Sequence, residues 1–212
     1  MTAVGDAVPG RLATPVGAEH IEHLTAALAG IGPAVDTATA WGRELAELLP
    51  GGSRLFAAGN GGSSAQAAHL TAELVGRYRD DRRPFSAVAL HAEVSALTAI
   101  TNDYGLEEGF ARQLEAHARP GDVAVLMSTS GGSPNVVRAA ERARDCGVRC
   151  WAMTGRGPNA LTELADDSLT VDSPFTATVQ ELHLVLLHVL CAGLDAGLDA
   201  AMMETPVLGT PS

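Results

Sequence analysis

The chain has 212 residues, a formal net charge of −11 and a sequence pI near 4.9. This length fits one large α/β domain, or one domain with an added helical arm. The negative charge argues against a nucleic-acid partner, because it repels a polyanion on average. All 14 basic residues are arginine, and the lack of lysine excludes lysine Schiff-base chemistry and the phosphate loop of P-loop NTPases.

The cysteines and the apolar segments predict a cytoplasmic protein. Cys146, Cys150 and Cys191 have no CxxC spacing, so we expect buried thiols in a reducing compartment and neither a disulfide framework nor a zinc knuckle. The N-terminus lacks the apolar core of a signal peptide. The longest apolar stretch, 184–194, is short and interrupted by His188, so we expect neither a membrane span nor a membrane partner.

In chain order, the first expected element is a flexible N-terminus at 1–16, which is rich in Pro, Gly and Ala. Two helices are predicted at 18–30 and 34–48, separated by a Gly-Ile-Gly-Pro break. At the other end, 201–212 is expected to be a flexible tail.

Between these ends, strand and helix patterns alternate. Short apolar runs of the fully buried type predict a parallel sheet, and the intervening helices predict that the sheet is covered on both faces. The fold class is therefore α/β. Strands are predicted at 54–58, 87–90, 122–127, 148–153 and 168–171, and helices at 63–75, 93–100, 106–118, 136–144 and 176–194.

A hydroxyl-rich turn at 128–135 follows one predicted strand and precedes a helix. Ser133 fits the N-cap, and Pro134 fits the first helical position. Free backbone N–H groups, the positive end of the helix dipole and four hydroxyls then meet at one place, which is typical of an anion site, most often for phosphate. An ordinary Ser/Gly turn with an N-cap is the alternative, although one cap does not need four hydroxyls. The hydroxyls belong to Ser128, Thr129, Ser130 and Ser133.

A second glycine turn, 59–64, follows the first predicted strand and again opens a helix. It is not the dinucleotide fingerprint, because Ser64 occupies the third glycine position. Ligands of open parallel sheets bind at the carboxyl ends of the strands. Two such turns therefore predict a binding crevice at this edge of the sheet.

Two pairs of side chains have spacings suited to metal binding. His69 and Glu73 lie one turn apart on one helix face, where a surface pair is the simpler alternative. Gln180 and His188 share a face of the last helix, roughly 80° apart, although the apolar surroundings of His188 also fit a core histidine. If the two faces met, the four side chains would form a nitrogen and oxygen set suited to zinc.

A polar segment, Thr-Asn-Asp-Tyr-Gly, follows the predicted helix 93–100 and is expected to form a loop. Its Asn102 and Asp103 fit sugar-hydroxyl binding, and they equally fit local capping and pairing. The same two alternatives hold for Arg77, one turn beyond Glu73.

Taken together, these segments resemble the sugar isomerase (SIS) domain family and, within it, the phosphoheptose isomerases. The serine turn marks only the broad family, whereas the His69/Glu73 and Gln180/His188 pairs mark the isomerases. The resemblance implies a single SIS domain at 51–200 after an N-terminal helical arm at 17–50. The matching segments are 59–63, 69–78, 102–103, 128–133 and 180–188.

The resemblance also implies a function. The chain would interconvert sedoheptulose 7-phosphate and an aldoheptose 7-phosphate through an enediol, with Glu73 moving the proton between C1 and C2 and His188 as the partner acid/base. It would be a homotetramer with sites at subunit contacts and one zinc ion per subunit. The implied zinc ligands are His69, Glu73, Gln180 and His188, and the implied substrate-binding residues are Asn60, Gly61, Gly62, Ser63, Glu73, Asn102, Asp103, Ser128, Thr129, Ser130, Ser133 and Gln180.

One position departs from the pattern. Phosphoheptose isomerases usually carry an aspartate three residues before the histidine that matches His69, and Gln66 stands there in this chain. Glutamine forms hydrogen bonds but cannot take up a proton, so the C2 epimer of the product stays open, as does the pathway. The alternatives are an isomerase of another ketose phosphate and a non-catalytic SIS protein, either a sugar-phosphate sensor or a DnaA-associating type, a class that lacks the glutamate and the final histidine.

Overall fold

The computed structural model describes residues 14–204. Most of the predicted flexible N-terminus and the part of the predicted tail after residue 204 lie outside the described residues. The proposed boundaries of the helical arm and of the SIS domain stay predictions.

Five parallel strands form one sheet, as predicted. Each predicted strand is present within one or two residues at either end. The strands are β1 (Leu55–Gly59), β2 (Ala87–Ala89), β3 (Val123–Ser128), β4 (Arg149–Thr154) and β5 (Asp167–Thr170).

Eight α-helices surround the sheet within the described part of the chain. Seven of them correspond to predicted helices, and the short helix at Ala160–Leu164 is the one that was not predicted. They are α1 (Ala18–Ala29), α2 (Gly32–Leu48), α3 (Gly62–Val75), α4 (Val94–Tyr104), α5 (Glu108–His117), α6 (Pro134–Asp145), α7 (Ala160–Leu164) and α8 (Thr176–Glu204).

The strand order is β2-β1-β3-β4-β5. The strand after β1 is added at one edge of the sheet and the strands from β3 onward at the other, so the order of the strands reverses between β1 and β3. The connection after β1 leads to one side of the sheet, and the connection after β3 leads to the other. In open α/β sheets the crevice at such a reversal, outside the carboxyl ends of the strands, is the usual ligand site. The two glycine turns predicted from the sequence follow these two strands.

The sheet is buried on both faces, which explains the apolar strands. Along β1, Leu55 and Ala57 join the core under α2, α3 and α8, whereas Phe56 and Ala58 join the core under α5 and α6. This alternation follows from the two-residue period of a strand. On the first face Trp41 stacks on Trp151 with ring centroids 4.8 Å apart.

The last helix is longer than predicted. We expected α8 to end at residue 194, but it continues to Glu204 and so includes the first residues of the predicted flexible tail, 201–212. Glycines usually weaken a helix interior. The glycines of α8 are contact points with α2: a Cβ on Gly193 would lie 2.8 Å from the Thr39 carbonyl oxygen, and one on Gly197 would lie 2.6 Å from the Ala46 Cβ. The glycines therefore permit close helix packing, and packing outweighs their low helix propensity.

By length and composition α8 could cross a membrane, since its residues 176–203 reach a mean hydropathy of 1.7. The longest apolar stretch identified in the sequence, 184–194, is shorter. Leu182, Leu186, Leu190 and Leu194 of α8 are buried in the core beside the sheet. A core helix of a folded domain has this same composition, so length and hydropathy alone are weak evidence for a membrane span.

Two further differences concern the site. The segment around Asn102 and Asp103, predicted to be a loop, is the last turn of α4. The helix continues past residue 100, where we expected it to end, and is capped by Gly105 with φ 93°. The helix α7 was not predicted. It begins with a capping box in which Asn159 and Thr162 bond each other's backbone, and Asn-x-x-Thr was its sequence signal.

Candidate active site

The hydroxyl-rich turn between β3 and α6 forms as predicted. Ser133 occupies the N-cap of α6, but its hydroxyl makes no capping bond and instead lies 2.9 Å from the Ser128 Oγ. The Gly131 N–H donates to Ser128 Oγ over 3.1 Å, and the Gly132 N–H donates to Ser130 Oγ over 3.2 Å. The hydroxyls thus converge on one turn at a helix N-terminus, which is an arrangement suited to an anion.

The loop after β4 holds this turn in place. The Gly155 N–H donates to the Thr129 carbonyl over 3.2 Å, and the Leu161 N–H donates to the Gly131 carbonyl over 2.9 Å. Gly131 has φ 65°, and a Cβ there would lie 2.0 Å from the Asn159 side chain. Only glycine fits this position, so the shape of the turn is fixed by a loop that the sequence analysis did not assign to the site.

The second glycine turn, after β1, packs against α8. A Cβ on Gly62 would lie 2.5 Å from the Gln180 Oε1, so the glycine lets the Gln180 amide approach the start of α3. Gly61 has φ 54°, a conformation that favours glycine. Ser63 is buried, whereas the side chain of Asn60 reaches Asn135 in the first turn of α6.

Three of the four predicted metal ligands lie together. The Nε2 atoms of His69 and His188 are 3.0 Å apart, and the His69 Nε2 lies 3.3 Å from the Glu73 Oε1. All three ligand atoms lie within 4.8 Å of one another. Tyr78 stacks on His188 with ring centroids 5.7 Å apart. Among residues 14–204 no hydrogen bond joins the amide of Gln180 to this cluster.

The cluster fits a zinc ion by chemistry and by spacing. Imidazole nitrogen and carboxylate oxygen are zinc ligands, and two ligands at about 2.0 Å from a tetrahedral zinc lie about 3.3 Å from each other. The observed separations of 3.0 and 3.3 Å match this spacing. The three side chains could therefore hold a divalent metal after small adjustments.

Two bridges tie the helices of the cluster together. Arg82 donates to the Glu73 carbonyl over 2.7 Å and pairs with Asp195 of α8 over 3.2 Å. Gln66 Nε2 donates to the backbone carbonyl of Gln180, and its buried Oε1 has no partner. The sequence analysis gave no role to Arg82, because its partners are backbone atoms and a distant aspartate.

Two of the three cysteines are buried thiols, and one of them, Cys191, lies near the charge of Glu73. Burial, and then the nearby charges of Glu73 and Asp195, raise the pKa of the Cys191 thiol to about 12. Burial likewise raises the pKa of Cys150 to about 12. Cys146 is only partly buried, and all three cysteines are free. The prediction of buried thiols is therefore confirmed for Cys150 and Cys191.

Asn102 and Asp103 do not join the other candidates within one chain. Both are exposed, and the Asn102 Nδ2 donates to the Asp103 Oδ1 over 2.8 Å. Within the described residues they form no hydrogen bond with the two glycine turns or the metal cluster. This is the local pairing that the sequence analysis kept as an alternative.

The doubly covered parallel sheet and its serine turn define a class of protein. The model of the SIS domain family matches residues 34–155, which is more than half of the chain. The chain is therefore a member of the SIS domain family. The N-terminal limit of the match falls inside α2.

Comparison with known proteins narrows the family. The chain is 59% identical over 180 residues to the phosphoheptose isomerase of Streptomyces coelicolor, covering 85% of this chain and 78% of that one. The structure of the Neisseria gonorrhoeae phosphoheptose isomerase superposes with a TM-score of 0.77 at 37% identity, covering 84% and 96% of the two chains. The Francisella tularensis phosphoheptose isomerase gives a TM-score of 0.74 at 32% identity, covering 83% and 92%. This chain belongs to the phosphoheptose isomerase family.

Proposed function

We propose that this protein is an aldose–ketose isomerase that interconverts sedoheptulose 7-phosphate and an aldoheptose 7-phosphate. The observation that carries the proposal is the cluster of His69, Glu73 and His188. A protein that only binds a sugar phosphate needs an anion turn but no base and no metal-binding side chains. Family membership supports the same activity.

The substrate would be held at both ends. The serine turn offers hydroxyls and helix N–H groups to the phosphate. The turn after β1 lies at the carboxyl end of the neighbouring strand, where Asn60, Gly61 and Gly62 would face the sugar. Binding at two points fixes the reacting carbons against the catalytic groups, which is worth a large part of an enzyme's rate.

The chemistry would be a proton transfer between C1 and C2. Glu73 presents its Oε1 towards His69 at 3.3 Å, so we assign the proton transfer to its second oxygen, which is left free by this contact. The carboxylate would remove the proton next to the carbonyl and return it to the neighbouring carbon of the enediol. His188 would move the proton between the two substrate oxygens.

We propose one zinc ion per subunit, held by His69, Glu73 and His188 with Gln180 as the fourth ligand. Bound there, zinc would supply Lewis-acid polarisation of the substrate oxygens. His188 can hold either a metal or a proton at its Nε2, so it would act as acid/base only while that nitrogen is free of the metal. For the same reason Glu73 needs its second oxygen for the proton.

We also propose a cytoplasmic homotetramer with sites at subunit contacts. The three free cysteines fit a reducing compartment. None of the residues of α4 is buried in the single chain, and Val94, Tyr104 and Leu106 are more than half exposed. These exposed apolar side chains would be buried by a partner chain, and covering α4 would bring a second chain to Asn102 and Asp103. Light scattering at micromolar concentration tests the tetramer.

The activity is tested by turnover with sedoheptulose 7-phosphate, with fructose 6-phosphate as the competing ketose phosphate. We expect a higher kcat/KM for the seven-carbon substrate and an aldoheptose 7-phosphate as product, identified by NMR. A preference for the six-carbon substrate would favour the other isomerase class. Binding of both sugars without turnover would favour the binding protein.

A further inference from the structure

We propose that Asn135 is a positioning residue that fixes the amide of Asn60 for the sugar part of the substrate. This inference rests on the proposed function and adds a residue to it. It comes from a reciprocal pair of amide hydrogen bonds across the crevice between β1 and β3.

The pair joins the two glycine turns directly. The Asn60 Nδ2 donates to the Asn135 Oδ1 over 2.8 Å, and the Asn135 Nδ2 donates to the Asn60 Oδ1 over 2.9 Å. The two residues are 75 positions apart. Asn60 directly follows β1, and Asn135 is the second residue of α6. The pair therefore spans the crevice between β1 and β3, where a ligand is expected.

The two amides lock each other's orientation. If one amide rotated by half a turn, its oxygen would face an oxygen and its nitrogen would face a nitrogen. Both bonds would then be lost together. Asn135 is 4% exposed, so its unpaired amide would be buried without partners, which disfavours the rotated state.

The pairing leaves Asn60 with free binding capacity. A primary amide has two N–H donors and two carbonyl lone pairs, and the pair uses one of each. Asn60 is exposed, so its remaining N–H and lone pair are accessible to a ligand. A sugar hydroxyl both donates and accepts, and it matches one fixed donor beside one fixed acceptor. Asn135 is too buried to contact the sugar in this way.

The pair also couples the two halves of the substrate site. Asn135 belongs to the helix whose N-terminus closes the serine turn, and Asn60 belongs to the turn proposed to hold the sugar. Their bonds fix the distance between the two turns. Small displacements of bound groups reduce rates strongly, so a looser pair would impair sugar placement while the serine hydroxyls kept the phosphate.

The test is a double-mutant cycle of Asn60→Ala, Asn135→Ala and the double variant, with KM for sedoheptulose 7-phosphate and calorimetric affinities for sedoheptulose 7-phosphate and for inorganic phosphate. We expect Asn135→Ala to raise KM about tenfold, the loss of one or two hydrogen bonds, with phosphate affinity unchanged. Because Asn135 acts through Asn60, the double variant should bind sugar phosphate no worse than Asn60→Ala. Gln113→Ala, which removes a buried amide on α5, is the matched control and should leave KM unchanged.

Two results would overturn the inference: additive losses in the double variant, or a parallel loss of inorganic phosphate affinity, which would make Asn135 part of the phosphate turn. If Asn135→Ala does not fold, Asn135→Ser repeats the cycle with a smaller disturbance. The calorimetric arm, with sedoheptulose 7-phosphate as titrant, does not need turnover. An inactive wild type would therefore count against the proposed function, while the cycle in binding energies would still decide the role of Asn135.

Discussion

The imidazole rings of His69 and His188 meet with their Nε2 atoms 3.0 Å apart, although 119 positions separate the two residues. The rings are nearly perpendicular, at 76°. At this distance one ring can donate its Nε2–H to the Nε2 lone pair of the other ring. A divalent metal would replace that proton and take a lone pair from each ring.

We therefore expect protein purified without chelator to contain about one zinc ion per subunit, as a single site of this type allows. The His69→Ala/His188→Ala double variant should lose it, because Glu73 and Gln180 leave only half of the proposed ligand set. Mass spectrometry of metal content is the measurement. His117→Ala, at the exposed end of α5, should keep the metal. Equal zinc in wild type and double variant would contradict the assignment.

The serine turn is tested by Ser130→Ala/Ser133→Ala. Each lost hydroxyl removes a hydrogen bond to a charged phosphate, so we expect KM for the sugar phosphate to rise tenfold or more, by about 1.5 kcal/mol or more. Inorganic phosphate should become a weaker inhibitor by a similar factor. Ser168→Ala, on the edge strand β5, is the control. Unchanged affinity in the double variant would mean that the turn does not hold phosphate.

Glu73→Gln keeps the shape of the side chain but removes the base. We expect turnover to fall about 100-fold or more, which is the usual contribution of a general base. In deuterated water the wild type should place deuterium at C2 of the aldose, because the abstracted proton can exchange while it is on the carboxylate. Exchange and turnover should fall together in the variant. Glu47→Gln, an exposed glutamate of α2, provides the control, and wild-type exchange in Glu73→Gln would refute the role of the base.

Gln66→Asp restores the residue usual in the family and removes an N–H donor. The Gln180 carbonyl would then lose its partner from Gln66, and a carboxylate would enter a buried position between α3 and α8. We expect a shift in the ratio of the two aldoheptose epimers, measured by NMR, with deuterium exchange at C2 retained. Gln66→Glu separates the effect of charge from that of length. An unchanged epimer ratio in both variants would remove Gln66 from stereochemical control.

His183 predicts a pH dependence of stability. It is fully buried, its Nε2–H donates to the Thr154 carbonyl over 3.1 Å, and burial lowers its pKa from 6.5 to about 4. Between pH 6.5 and pH 4 the unfolded chain binds a proton that the folded chain does not, so stability falls as the pH falls through this range. From pH 7 to pH 5 the loss is about 2 kcal/mol.

Urea unfolding of wild type and His183→Gln at these two pH values, at one protein concentration, measures this term. The glutamine can still donate to the Thr154 carbonyl but does not titrate. We expect the wild type to lose about 2 kcal/mol more than the variant on acidification. Parallel losses would show that His183 does not titrate differently in the folded and unfolded states.

The sequence determined the order and type of the main elements because their signals are local. A buried parallel strand such as Val123–Ser128 needs apolar residues on both faces, and this requirement is written into its own six residues. The serine turn, its N-cap and Pro134 are likewise local. The spacing of His69 and Glu73 fixes a shared helix face without any knowledge of the rest of the fold.

The end of α8, by contrast, has no local sequence signal. Its glycines resemble helix breakers until they are seen against Thr39 and Ala46 of α2, since close packing of two helices replaces the stability that glycine lacks. The same limit applies to the reciprocal bonds of Asn60 and Asn135, because neither residue carries a signal for a partner 75 positions away. The sequence by itself thus determined the strands, the turns and the two pairs of candidate ligands. Only the tertiary structure decided that α3 and α8 bring His69 to His188, because a contact between distant residues depends on how the whole core packs.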